Sequence, residues 1–269
     1  SGEWNRYPDA TAAPLREKLS AYLGLPTDWL LVGAGSVALL QQFITAAAGP
    51  GDEVVYPWRS FEAYPGLVTV SGATSVQVPN TEDHRHDLDA MADAINDHTR
   101  VVLVCSPNNP TSTIVTTDEF EQFMAKVPAN RLVILDEAYR EFVADPAAVR
   151  GEEQLQRYPN LVVTRTFSKA FGLAGLRIGY AMGRPELLAP AQSAGIPLSV
   201  SAPAQLAAEV SMDHLDEIEA QIGQVEQRIS QVREAFAEIG GLPEPHGNFV
   251  WLPTGEHTDT VVDWLENES

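Results

Sequence analysis

Short apolar runs alternate with amphipathic segments along most of the chain. Several runs are apolar at every position, which is typical of strands covered on both faces. The segments between them carry apolar residues at helical spacing. Strands are predicted at residues 29–32, 53–56, 75–78, 101–105, 132–135, 161–164 and 178–182, and helices at 14–23, 36–48, 88–95 and 118–126. Strands separated by helices predict an α/β fold with a mainly parallel central sheet flanked by helices.

The pattern changes after Ala202. Residues 204–239 are predicted to be largely helical, with a break near 212–214, and a strand at 249–252 and a last helix from Thr260 follow. We therefore divide the chain into three parts. They are an N-terminal segment (1–14), a large domain (15–205), and a connecting helix with part of a smaller C-terminal α/β domain (206–269).

Four polar loops follow predicted strands. They are residues 33–36, 106–109, 136–139 and 166–169. Ligands of open α/β sheets bind outside the carboxyl ends of the strands, where such loops meet. The sequence therefore predicts one site at this edge of the sheet, formed by all four loops.

Composition and charge narrow the class of protein. Hydrophobic residues make up 44% of the 269, which is a globular composition, and the formal net charge is -20. Such a charge repels nucleic acid and anionic lipid, so we expect neither as a partner. No apolar run is long enough to span a membrane. The single cysteine, Cys105, permits no intrachain disulfide, and a reducing, cytoplasmic location is expected.

The loops contain three ordered motifs. They read S-P-N-N-P-T at 106–111, D-E-A-Y at 136–139 and T-F-S-K-A-F-G-L-A-G-L-R at 166–177. Together they resemble the fold-type I aminotransferases that depend on pyridoxal 5′-phosphate (PLP), most closely the histidinol-phosphate aminotransferase subfamily. The resemblance covers nearly the whole chain, and three motifs in matching order make it specific. It implies the PLP-dependent transferase fold, a homodimer, and a large domain that binds PLP.

The resemblance assigns the catalytic roles. Lys169 matches the lysine that forms a Schiff base with the cofactor and later moves the substrate proton. Asp136 would keep the pyridine nitrogen protonated, because a buried carboxylate beside that nitrogen raises its pKa. Tyr139 and Asn109, rather than Asn108, would hydrogen-bond the phenolic oxygen of the ring. The alternative for Lys169 is an ordinary surface lysine, and for Asp136 a helix cap.

Further residues are expected around the phosphate and the ring. A helix that opens at Gly35, Ser36 and Val37 supplies N–H donors and the positive end of its dipole. Hydroxyls and a cation are assigned to Thr166, Ser168 and Arg177, and Tyr7 is implied to reach the phosphate of the partner subunit. Phe61 would stack on the ring, its alternative being a core position. His84 and His86 stand without a cysteine or third histidine nearby, so no metal site is expected.

Two departures from the family accompany the resemblance. Ser112 stands where glycine usually follows the S-P-N-N-P-T motif, and a serine there is expected to strain the turn. No residue of this chain can be assigned as the arginine that pairs with the substrate α-carboxylate. We expect that arginine beyond residue 269, in a longer protein.

The motifs leave several functions open. Residues 58–65, W-R-S-F-E-A-Y-P, resemble the aromatic (phenylalanine) branch, which favours transfer of the amino group of an aromatic amino acid to 2-oxoglutarate. The alternatives are a histidinol-phosphate aminotransferase, a PLP-dependent decarboxylase of the threonine-phosphate type, and a PLP-binding regulatory module without activity.

Overall fold

One seven-stranded sheet organises the chain. The computed structural model describes residues 5–268, without the side chain of residue 268. The strands are β1 (Leu30–Gly33), β2 (Glu53–Trp58), β3 (Thr74–Pro79), β4 (Thr99–Cys105), β5 (Leu132–Asp136), β6 (Leu161–Thr166) and β7 (Gly179–Gly183). Their order is β1-β7-β6-β5-β4-β2-β3. β7 is antiparallel to both of its neighbours, and the other pairs are parallel.

Ten α-helices are assigned within the described residues. They are α1 (Ala13–Leu23), α2 (Ser36–Ala47), α3 (Tyr64–Ser71), α4 (Leu88–Asp93), α5 (Thr117–Met124), α6 (Gly151–Gln154), α7 (Pro185–Ala194), α8 (Ala202–Met212), α9 (Leu215–Ala235) and α10 (Thr258–Glu268). The first four residues of the predicted N-terminal segment lie outside the described residues. None of the helices described is long and apolar enough to cross a membrane.

The sheet is the middle layer of three, because alternate residues of each strand enter different cores. In β4, Val101 and Leu103 belong to one apolar cluster and Val102 and Val104 to the other. This alternation is the two-residue period of a strand. Apolar side chains on both faces explain why the strands read as continuous apolar runs.

Helices cover both faces of the sheet. Leu39 and Phe43 of α2, Val68 of α3 and Leu188 of α7 fill one cluster. The other cluster is filled by α1, α4, α5 and α8, through residues that include Leu15, Leu19, Met91, Phe120 and Ala204. The predicted α/β fold with a mainly parallel sheet is thus confirmed.

Two longer helices were not predicted. α3 begins Tyr-Pro-Gly, and it contains Val68, Thr69 and Val70, which are weak helix formers. Proline is nevertheless tolerated in the first turn, where its missing N–H has no intrahelical partner. α7 similarly begins at Pro185 and contains Pro190. Burial of one face against the sheet outweighs local propensity in both cases.

The predicted strand at 249–252 is wrong. These residues are irregular, and the described chain after Gly183 has no other strand that could pair with them. An apolar stretch cannot form a strand without a hydrogen-bonding neighbour. The predicted helix break is confirmed, since α8 ends at Met212 and α9 begins at Leu215. The domain boundary near residue 205 stays a prediction.

Candidate active site

A pocket of about 170 Å³ opens at the carboxyl ends of the parallel strands. All four predicted loops contribute to this edge of the sheet. The residues that line the pocket are Ser36, Val37, Phe61, Cys105, Asn109, Asp136, Ala138, Tyr139, Thr166, Ser168, Lys169, Ala174 and Arg177. The structure therefore brings together every residue expected at the site except Gly35 and Tyr7. Gly35 immediately precedes Ser36 in the chain.

Asp136 lies at the buried end of the pocket. It is the last residue of β5, and only 3% of it is exposed. The Tyr64 hydroxyl donates a hydrogen bond of 2.9 Å to one carboxylate oxygen, and the Thr164 hydroxyl donates one of 3.2 Å to the other. Burial raises the pKa of Asp136 to about 6, and these hydrogen bonds oppose that rise. A cation placed beside the carboxylate would keep it ionised at neutral pH.

Lys169 and Tyr139 face each other across the pocket. Lys169 follows β6 in an exposed bend, and its Nζ lies 5.0 Å from the centre of the Tyr139 ring. The Asn109 amide donates a 3.4 Å hydrogen bond to the Tyr139 hydroxyl. Burial raises the pKa of Tyr139, so its hydroxyl remains a hydrogen-bond donor at neutral pH.

The opposite end of the pocket is suited to an anion. Arg177 donates hydrogen bonds to the Ser168 hydroxyl (3.4 Å) and to the Ala174 carbonyl oxygen (2.8 Å). The Thr166 and Ser168 hydroxyl oxygens lie 2.9 Å apart. Ser36 is the first residue of the twelve-residue helix α2, whose first N–H groups have no intrahelical partner. A guanidinium, hydroxyls and helix N–H donors are the groups that bind a phosphate.

Two glycines permit this arrangement. A Cβ at Gly179 would lie 2.7 Å from the Ser36 nitrogen and 2.8 Å from the Arg165 carbonyl oxygen. Gly35 has a φ of +86°, and a Cβ there would lie 2.6 Å from an Arg177 nitrogen. The start of α2 therefore packs directly on β7, so that its N–H groups and Arg177 face the same space.

Phe61 lines the pocket, and Tyr64 packs behind it. Their rings meet edge to face with centroids 5.6 Å apart. Phe61 is half-buried and also packs against an apolar cluster, so it serves as pocket wall and core at once. Tyr64 is fully buried, and burial raises its pKa.

Sequence reasoning missed the residues that hold Asp136. Tyr64 starts a helix that was not predicted, and Thr164 was assigned only to a strand. Their contacts with Asp136 join different elements, and pairings of that kind follow from strand order rather than from local spacing. No sequence signal identifies them.

Glu137 is a further residue beside the site whose contacts the sequence did not predict. Its side chain has a hydrogen-bonding role. The side chain is fully buried and accepts a 2.8 Å hydrogen bond from Arg165 Nε. Its other oxygen accepts one of 2.8 Å from the Gly151 N–H. Arg165 also pairs with Glu152. The buried ion pair of Arg165 and Glu137 joins β6 to the residue that follows β5, and its two members are adjacent in sequence to Thr166 and Asp136 of the pocket lining.

Cys105 belongs to the pocket lining, whereas His86 and Tyr7 do not. Cys105 is buried, as its place in a continuous apolar run predicts, and burial raises its pKa to about 12. His86 is an internal hydrogen-bonding residue, with Nε2 2.8 Å from the Cys105 carbonyl oxygen. Tyr7 is 86% exposed and borders a separate surface groove with Leu198 and Leu206. Within residues 5–268, no group of three or more His, Cys, Asp or Glu side chains could hold a metal.

Comparison with known proteins places the chain in a family. The model of aminotransferase class I and II matches residues 1–265. An aromatic amino acid aminotransferase of Streptomyces avermitilis is 49% identical over 258 residues, which are 96% of this chain and 72% of that protein. One from Corynebacterium diphtheriae is 48% identical over 262 residues, 97% of this chain and 75% of that protein.

A solved structure agrees with these relatives. Histidinol-phosphate aminotransferase from Sinorhizobium meliloti, in complex with pyridoxal-5′-phosphate, has a TM-score of 0.91 and 26% sequence identity. The similarity covers 98% of this chain and 72% of that chain. The chain is therefore a member of the class I and II aminotransferases, and it is a transaminase.

Proposed function

We propose that this transaminase binds PLP through Lys169 and transfers the amino group of an aromatic amino acid to 2-oxoglutarate. One observation carries the proposal. A primary amine, a buried carboxylate and an anion-binding end share a single pocket, in the loops that contain the three motifs.

The residues present fit PLP. The phosphate would be held by Arg177, the hydroxyls of Ser36, Thr166 and Ser168, and the first N–H groups of α2. Asp136, buried at the other end, is suited to a protonated ring nitrogen. The Tyr139 hydroxyl and the Asn109 amide offer donors for the phenolic oxygen, and Phe61 offers an aromatic face.

The side chains divide the chemistry among them. PLP, when bound, supplies a sink for the electrons released at the substrate α-carbon. The Lys169 amine would hold the cofactor covalently. When free, the same amine would be the base that removes the substrate α-proton and the acid that returns it. Asp136 keeps the proton on the ring nitrogen, because an adjacent carboxylate stabilises that cation.

The relatives favour an aromatic donor. Proteins named aromatic amino acid aminotransferase are 46–49% identical to the chain over more than nine-tenths of its length. The histidinol-phosphate enzyme from Sinorhizobium meliloti is only 26% identical. Histidinol phosphate is therefore the second candidate donor.

A homodimer is the proposed assembly. Tyr7 is exposed and lies beside Leu198 and Leu206 on a groove of about 750 Å³, and Ile196, two residues before Leu198 in the chain, is 79% exposed. Contiguous exposed apolar side chains of this kind mark interaction surfaces. Their position next to Tyr7 supports the implied contact between Tyr7 and the phosphate of the partner subunit.

Lys169→Ala tests the cofactor role. We expect loss of the visible absorption band of the lysine-bound cofactor and loss of nearly all turnover, while the fold survives, because Lys169 is exposed. Lys126→Ala is the matched control, since Lys126 lies on the surface and pairs only with Asp89 among the described residues. A Lys169→Ala protein that keeps both the band and turnover would show that another amine holds the cofactor.

The donor is tested by comparing kcat/KM for phenylalanine, tyrosine and histidinol phosphate. We expect the two aromatic donors to be preferred, and a strong preference for histidinol phosphate would reverse that ranking. Analysis of the products separates transamination from decarboxylation, since the first yields an oxo acid and the second releases carbon dioxide.

A further inference from the structure

Ser112 has an unfavourable backbone conformation and no exposure to solvent. Its φ is +62°, in the left-handed region, and its exposed fraction is 0%. A residue with a Cβ is disfavoured there, and such positions persist only when their surroundings hold them in place. The expected strain at this position is therefore present, and the contacts of Ser112 show what accompanies it.

The Ser112 side chain joins two distant segments. Its hydroxyl oxygen accepts hydrogen bonds from the backbone N–H groups of His246 (3.1 Å) and Gly247 (2.8 Å). Its carbonyl oxygen also lies within hydrogen-bond distance of the His246 N–H, at 3.0 Å, and its own N–H donates to the Asn108 carbonyl oxygen at 2.7 Å. A glycine at this position would keep the turn but would leave the Gly247 N–H without this acceptor.

The joined segment leads to the pocket. Gly247 is buried, and a Cβ built on it would lie 3.0 Å from the Phe249 ring and 3.2 Å from the Ser112 hydroxyl oxygen. The Phe249 ring packs edge to face on Tyr139, with centroids 5.0 Å apart at 79°. Tyr139 also contacts Lys169 and receives the hydrogen bond from Asn109.

We propose that Ser112 is a positioning residue for the transamination reaction. Its hydroxyl fastens residues 246–247 to the loop that carries Asn109, and so holds Phe249 against the Tyr139 ring. Tyr139 is then fixed from two sides, by Asn109 at its hydroxyl and by Phe249 at its ring. The inference rests on the proposed function for its effect on catalysis, because it assumes that the Tyr139 hydroxyl contacts the cofactor.

Two substitutions separate the hydroxyl from the backbone strain. Ser112→Ala removes the hydroxyl and keeps a Cβ at positive φ, whereas Ser112→Gly removes both. Ser230→Ala is the control, because within residues 5–268 the Ser230 hydroxyl bonds only the Glu226 carbonyl oxygen, one turn earlier on α9. Phe249→Leu removes the ring that contacts Tyr139 and leaves the Ser112 hydrogen bonds in place.

Amide hydrogen exchange of residues 244–252 tests the link itself and needs no activity. In both Ser112 variants we expect exchange of the Gly247 amide to accelerate roughly tenfold, as for a buried N–H that loses its partner, whereas the His246 amide keeps the Ser112 carbonyl oxygen as an acceptor. Ser230→Ala should match the unsubstituted protein. Unchanged exchange in both Ser112 variants would overturn the proposal.

The visible spectrum and kinetics of the holoenzyme test the effect on Tyr139. We expect Ser112→Ala, Ser112→Gly and Phe249→Leu to shift the pH midpoint of the cofactor band in the direction that Tyr139→Phe shifts it. We expect kcat to fall more than KM rises. Lower thermal stability with an unchanged midpoint and kcat would mean that Ser112 serves the fold alone, and that the proposal is wrong. If the proposed function fails, the unsubstituted protein shows no PLP band, whereas the exchange result still decides whether the link exists.

Discussion

At the scale of single residues, Asp136 combines a functional position with a cost to stability. Asp136 is 3% exposed, and burial raises its pKa to about 6. Its ionised form therefore destabilises the folded protein. The hydroxyls of Tyr64 and Thr164 offset part of this cost by donating hydrogen bonds to the carboxylate. The cofactor-free protein therefore keeps a destabilising charge where the proposed cofactor would bring a compensating one.

Asp136→Asn tests this cost in the cofactor-free protein. The folded pKa of Asp136 is raised, so the folded state binds its proton more tightly than the unfolded state, and this residue destabilises the protein increasingly as pH rises from about 4 to 6. Asparagine carries no charge. The variant should thus gain stability relative to the parent as pH rises, up to about 3 kcal/mol above pH 6.

Urea unfolding of the two cofactor-free proteins between pH 4 and 8 measures the difference in the free energy of unfolding. Asp97→Asn, at an exposed position, is the control and should show no such trend. Turnover of the Asp136→Asn holoenzyme should fall, because the ring nitrogen would lose its ionised partner. Equal stability of Asp136→Asn and the parent at pH 7.5 would contradict the predicted cost.

The sequence predicted the chemistry-bearing residues better than the residues that support them. Lys169, Asp136 and Asn109 stand in loops directly after strands, and strand ends are visible as the limits of apolar runs. Tyr64 could not be found in this way, because it begins the helix after β2, and β4 lies between β2 and the strand that carries Asp136. The contact exists only once the strand order is known.

At the scale of elements, the packing of α2 on β7 creates the anion-binding end. Ser36 and Gly179 approach so closely that a single Cβ would not fit between them. The polar end of α2 is thereby held beside Arg177, which follows β6 in the loop leading to β7. The apolar periodicity of α2 predicted the helix. The contact with β7 depends on the antiparallel direction of that strand, which the apolar pattern did not reveal.

Gly179→Ala should weaken the binding of PLP. The added methyl group meets backbone atoms, so the start of α2 must shift, and its N–H groups move away from the phosphate. We expect the Kd for PLP to rise roughly tenfold or more, equivalent to the loss of one hydrogen bond to a charged group. Fluorescence or absorbance titration of the cofactor-free protein measures this.

Gly223→Ala is the matched control. Gly223 lies inside α9, and a Cβ there meets nothing within 4 Å. Alanine should stabilise the helix by about 1 kcal/mol and leave the Kd for PLP unchanged. If Gly179→Ala binds PLP as tightly as Gly223→Ala, the close approach of α2 to β7 does not position the phosphate donors.

At the scale of the whole molecule, the apolar side chains next to Tyr7 were not foreseen as a surface. Leu206 was predicted inside a helix, and Ile196 lies in the connection before α8. Periodicity locates a helix but does not say which of its faces remains uncovered. The structure leaves Leu206 61% exposed beside Tyr7.

Leu206→Glu should dissociate the proposed homodimer. A charge in the centre of an apolar contact is costly when the contact forms. Sedimentation velocity measures the mass, and a PLP titration on the same sample should show weaker binding, because Tyr7 would no longer reach the partner. Val70→Glu, at a position that is 72% exposed on α3, is the control. A Leu206→Glu protein that sediments like Val70→Glu, both as dimers, would place the interface elsewhere.

The place of β1 in the sheet has a consequence for the order of folding. β1 is the first strand in the sequence, yet its only neighbour in the sheet described is β7, the last strand. The register pairs Gly33 with Gly179. Contacts between residues so far apart in sequence form slowly, since a long loop must close first. The other parallel strands can pair with strands nearer in the chain before β1 arrives. The start of α2, which follows β1, therefore joins Arg177 only at the end of this process, and recovery of PLP binding should be among the last signals to return during refolding.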